Sequence, residues 1–88
     1  MGTREAYDTI CRALEADPGK RIRDSVYDEE VFGNFFIAFE GEGEPRSVVN
    51  DRDQLIIYRD LAGTEDGEIT LSSLRDADEH KLLAALNL

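Results

Sequence analysis

Val31-Phe32-Gly33-Asn34-Phe35-Phe36-Ile37-Ala38-Phe39-Glu40 is the most apolar stretch of the chain, and its reading decides the fold. At the two-residue period of a strand, Val31, Gly33, Phe35, Ile37 and Phe39 fall on one face. Phe32, Asn34, Phe36 and Ala38 fall on the other. Both faces are largely apolar, which predicts a central strand covered on both sides. Gly33 inside the run predicts a bulge or a close backbone approach.

Before this run, Lys20 to Tyr27 alternates weakly. Ile22, Asp24 and Val26 point one way, and Arg21, Arg23, Ser25 and Tyr27 the other. Charges on both sides suit an edge strand. Asp28-Glu29-Glu30 is a polar break. After the run, Gly41-Glu42-Gly43-Glu44-Pro45 reads as a flexible turn, Arg46 to Asn50 as a short strand and Asp51-Arg52-Asp53 as a second turn. Gln54 to Arg59 and Glu68 to Leu71 read as further strands, separated by a loop whose Asp66-Gly67 is a strong turn signal.

Helices flank the strands. Tyr7, Ile10, Cys11 and Leu14 recur at helical spacing in Thr3 to Asp17, with Thr3 as the expected cap and Asp17-Pro18-Gly19 as the stop. Near the far end Leu82, Leu83, Ala85 and Leu86 supply an apolar stripe, with Ser72 or Ser73 as the expected cap. The short polar turns exclude parallel crossovers. The expected fold is a single α+β domain over residues 1–88: an N-terminal helix, a four- to five-stranded antiparallel meander sheet and a C-terminal helix. One sheet face then keeps apolar residues, so either the helices pack one on each side or a second copy covers that face.

Twenty Asp and Glu stand against ten Lys and Arg, a formal net charge of −10. Successive thirds of the chain carry −3, −3 and −4, so the charge coats the whole domain instead of forming a tail. Phosphate backbones and anionic membranes repel such a chain, so neither nucleic acid nor a membrane is an expected partner. Solubility alone accounts for the charge; an acidic face that docks a basic protein is the functional alternative. Cys11 has no second cysteine to pair with, and the apolar run Phe35-Phe36-Ile37-Ala38-Phe39 is too short to span a bilayer. A cytoplasmic location is expected.

Catalytic and cofactor motifs are missing. Aligning Gly67 with the invariant glycine of a calcium loop puts Ala62, Thr64 and Ser73 where carboxylate ligands are needed. Asp51 and Asp53 flank Arg52 in a polar turn with nothing to separate their pKa values. Cys11 and His80 stand on different helices with no third group to join them. No enzyme activity, cofactor or metal is expected.

The residues expected to bind a partner are the carboxylates Asp28, Glu29, Glu30, Glu40, Glu42 and Glu44, for steering, and Tyr27, Phe32 and Tyr58, as apolar anchors. The run Phe32–Glu40, followed by Arg46-Ser47-Val48-Val49-Asn50-Asp51-Arg52, resembles small acidic bacterial proteins of the toxin-immunity type. That resemblance lies within residues 32–52. It implies a compact, non-catalytic α+β inhibitor that blocks a basic toxin, and it assigns no individual residue. A protein-binding module for a basic partner is therefore the expected function. A structural homodimer with an acidic surface and a small ligand-binding domain are the alternatives.

Overall fold

The computed structural model describes all residues, Met1–Leu88. Helix α1 (Thr3–Ala16) leads into strands β1 (Lys20–Asp28), β2 (Asn34–Gly41), β3 (Glu44–Asp51), β4 (Gln54–Tyr58) and β5 (Glu68–Leu71), and helix α2 (Glu79–Ala85) follows. The strands form one antiparallel sheet in sequence order, β1-β2-β3-β4-β5. This is the expected α+β meander, with five strands.

Both helices pack on the same sheet face. Ala6, Ile10 and Leu14 of α1 and Leu82 of α2, with Leu86 just beyond it, meet Phe35, Ile37, Phe39, Val48, Leu55 and Leu71 in one buried cluster. Leu74 and Ala77, in the segment before α2, complete it. The ammonium group of Met1 donates to the carbonyls of Leu74, Arg75 and Ala77 at 3.3, 2.7 and 3.0 Å, which ties the start of α1 to that segment.

The caps differ from expectation. Gly2 is the N-cap of α1 and makes no side-chain cap bond. Thr3 lies inside the helix and shares a 2.8 Å hydrogen bond with the Tyr27 hydroxyl. Helix α2 starts later than Ser72 or Ser73 suggests, because Asp78 caps it by accepting from the Lys81 N–H at 2.7 Å. Ser73 instead donates to the Asp53 carboxylate, whose other oxygen accepts from the Arg75 N–H.

The decisive stretch begins its strand three residues later than its apolar pattern suggests. Val31, Phe32 and Gly33 lie in the β1–β2 turn, with Phe32 at φ 56° and Gly33 at φ 64°. Phe32 therefore does not join Phe36 and Ala38 on the sheet. The reason is close packing: Gly33 is buried against the Thr3 and Tyr27 hydroxyls, and its carbonyl accepts from the buried Asn50 amide at 3.2 Å. The close approach read at Gly33 is real, while the bulges lie elsewhere.

Those bulges sit in the two edge strands. Ile22 pairs with Phe39 but Asp24 pairs with Ala38, so Arg23 is the extra residue in β1. Strict alternation would place Ile22 with Asp24 and Val26. The bulge instead turns Ile22 toward the helices with Ser25 and Tyr27, and leaves Asp24 and Val26 on the opposite face. In β5, Leu71 pairs with Leu55 and Ile69 with Ile56, so Thr70 is the extra residue. Leu71 enters the core and Ile69 faces away from it.

Two-residue turns close the inner hairpins. Glu42-Gly43 (φ 55° and 80°) and Arg52-Asp53 (φ 51° and 75°) both have positive φ at the two central positions, the geometry that matches the twist of paired strands. The first hairpin is tighter than the turn read at Gly41–Pro45, since Glu44 and Pro45 already belong to β3.

Candidate functional site: an acidic turn around an exposed phenylalanine

The β1–β2 turn presents Phe32 with 72% of its surface exposed and Val31 with 45%. For a chain with four phenylalanines this is an unusual placement, and the backbone dictates it: the left-handed conformations at Phe32 and Gly33 turn the ring out of the strand. The ring is nevertheless held. The Arg52 guanidinium stands 5.6 Å from its centroid, a cation–π contact across the end of the sheet.

Asp28, Glu29 and Glu30 precede the pair, and all three are exposed. The Asp28 carboxylate accepts from the Glu30 N–H at 3.0 Å, shaping the turn. None of the three forms a salt bridge. The three carboxylates are therefore unpaired, in the same turn as an exposed aromatic ring.

The second expected cluster differs. Glu40 lies 4.0 Å from Arg23, and Glu44 lies 2.9 Å from Arg46, so two of its three carboxylates are offset within the fold. Glu42 is exposed at the hairpin tip. The two clusters also sit at opposite ends of β2, which spans roughly 23 Å at about 3.3 Å per residue. They do not form one surface.

The tyrosines take structural positions. Tyr27 lies on the helix side of β1, half-buried, with the Thr3 hydroxyl on its own, the Tyr7 ring 5.4 Å away and the Arg4 guanidinium 4.9 Å from its centroid. Tyr58 lies on the other side of the sheet, half-buried against Gly67. Of the three expected anchors, Phe32 alone is widely exposed.

Residues 59–67, between β4 and β5, fold back over the sheet. Gly63 rests on Phe36 and Ser47, and Gly67 on Tyr58. Asp60 organises this loop by accepting from the Thr64 hydroxyl at 2.6 Å and from the Thr64 and Glu65 N–H groups at 2.9 and 3.1 Å. The Thr64 hydroxyl is the chief cause holding the Asp60 carboxyl below its ordinary pKa. A Lys20 hydrogen bond does the same for Asp17. Burial pushes the Cys11 thiol up, away from the reactive thiolate form.

No group of three or more His, Cys, Asp or Glu side chains is arranged to hold a metal ion. No helix is long and apolar enough to cross a membrane. The chain matches no protein-family model, no curated protein and no solved structure.

Proposed function

We propose that this chain is a non-catalytic module that binds a basic protein through its β1–β2 turn, with Phe32 as the anchor and Asp28, Glu29 and Glu30 as the steering charges. The observation that supports this reading most is the pairing of a 72% exposed phenylalanine with three carboxylates that have no cationic partner. An aromatic ring carries affinity when a partner pocket desolvates it, and unpaired carboxylates that precede it in the turn select the sign of that partner. The Arg52 contact adds pre-organisation, because a ring already held loses less freedom on binding.

The most concrete form of this reading is an immunity-type inhibitor that covers a basic surface of a toxin. Glu40, Glu42 and Glu44 then add long-range attraction but no contact with the same patch, and Tyr27 supports the turn from behind. The test is calorimetric titration of the purified chain with the purified products of the genes beside its own. A basic product that binds, and binds less tightly on replacement of Phe32 by Ala, supports the proposal. Tight binding unaffected by that replacement would assign recognition to another surface, and no binding to either product would remove the immunity form.

A further inference from the structure

The sheet face opposite the helices carries an unbroken apolar row. Val26 pairs with Phe36, Phe36 with Val49, Val49 with Ile56, and Ile56 with Ile69, one residue from each of the five strands. The bulges at Arg23 and Thr70 set its two ends, since strict alternation from Ile22 and Leu71 would place Val26 and Ile69 among the core residues. Val26 is 54% exposed and Ile69 55%, while the three inner residues are half-buried. At about 4.8 Å between strands, the row is roughly 19 Å long, the length of a helix of about 13 residues.

The surroundings of the row have a sign. On one side the neighbouring positions are Asp28, Asn34, Asp51 and Gln54; on the other they begin with Asp24 and continue under the 59–67 loop, where Ala38 and Ser47 are buried. Asp24, Asp28 and Asp51 are exposed and have no salt bridge, while Arg23, the bulged residue beside Asp24, is drawn to Glu40 at 4.0 Å. A shallow open depression lies beside Val26, Phe36 and Val49, bordered by Asn34 and Asp51. It has room for an apolar side chain, with a carboxylate at its rim to meet a cation.

We infer that this face docks a cationic amphipathic segment of a partner protein, its apolar side laid along Val26–Ile69 and its Lys or Arg residues toward Asp24, Asp28 and Asp51. Charge decides between this occupant and a second copy. Two copies stacked on this face would bring two sets of the same three carboxylates together, on chains of net charge −10 each. Phe32 lies away from this row, beside Met1, Thr3 and Arg75, so the inference extends the proposed function to a second surface that shares Asp28 alone with the first.

The experiment uses the intact chain labelled for NMR and two synthetic peptides of about 14 residues. One carries Leu and Lys at amphipathic helical spacing, and the other has Glu in place of every Lys. The Leu/Lys peptide is expected to shift the amide signals of Val26, Phe36, Val49, Ile56 and Ile69, and the Leu/Glu peptide to leave them in place. The double variant Val26→Ser, Ile69→Ser changes only exposed positions and is expected to weaken the Leu/Lys peptide about tenfold or more. Phe32→Ala is expected to leave it unchanged, so this test and that of the β1–β2 turn fail separately. Shifts confined to the helices or to Phe32, equal binding of both peptides or no binding would overturn the inference. Concentration-dependent dimerisation abolished by the double variant would also overturn it, by making a second copy the occupant.

Discussion

The hydroxyls of Thr3 and Tyr27 lie 2.8 Å apart, joining the first turn of α1 to the outermost strand directly against the backbone of Gly33. A Cβ at Gly33 would collide with the Thr3 hydroxyl and meet the Tyr27 hydroxyl at 3.0 Å, at a φ of 64° that side chains rarely adopt. Gly33→Ala is therefore expected to cost about 2–4 kcal/mol, from left-handed backbone strain and overpacking together. In a Thr3→Ala background the cost should be smaller, because part of the collision is gone. Urea midpoints of the four chains measure this, and strictly additive costs would contradict the packing account.

Ser47 is fully buried under Gly63 with no hydrogen-bond partner for its hydroxyl. Removing an unsatisfied buried polar atom at nearly constant shape is neutral or favourable. Ser47→Ala is expected to hold or raise stability by up to about 1 kcal/mol. A urea midpoint that falls with an unchanged denaturant slope would show that the hydroxyl has a partner.

Asp60 predicts a pH dependence confined to its loop. Its carboxyl is held below the ordinary value of about 3.9 by the Thr64 hydroxyl and by loop N–H groups. A carboxylate with a depressed folded pKa contributes stability that is fully present above its unfolded pKa and is lost as pH falls through the lower folded value. The amides of Thr64 and Glu65 should thus keep their protection through neutral pH and lose it only in acid below that ordinary value. Asp60→Ala, which removes the acceptor, should expose them at every pH. Hydrogen exchange reads both, and protection that fades near neutrality would contradict the assignment.

The meander and both helices were legible because the chain separates its strands with short polar turns and repeats Tyr7, Ile10, Cys11 and Leu14 at helical spacing. The two bulges were not, since one extra residue at Arg23 or Thr70 leaves no mark on composition and inverts every face beyond it. The turn at Val31–Gly33 was hidden by its own hydrophobicity. An apolar triplet next to a strand reads as more strand, and only the contact of Gly33 with Thr3, a residue far away in sequence, ends it. The same concealment affected the site. Asp28, Glu29, Glu30 and Phe32 were visible as a cluster, whereas the row Val26–Ile69 depends on register that no single strand encodes.

For the partner complex of the β1–β2 turn, Phe32→Ala should weaken binding by about 30-fold or more if the ring fills a pocket, as buried aromatic anchors do. The chain itself should stay as stable as before, since the ring is mostly exposed. Calorimetry on the complex and a thermal melt of the free chain separate the two effects. A large loss of stability with it would mean that Phe32 serves the fold instead.

The most direct measurement of the central claim is the association rate of the chain with its basic partner as a function of salt. Raising salt from about 0.01 to about 0.15 M shortens the screening length from about 30 to about 8 Å. If uncompensated carboxylates steer the encounter, the rate should fall by about tenfold or more over that range, and Asp28→Asn, Glu29→Gln, Glu30→Gln should remove much of the slope. A rate that is flat in salt, or a slope unchanged in the triple variant, would contradict the account.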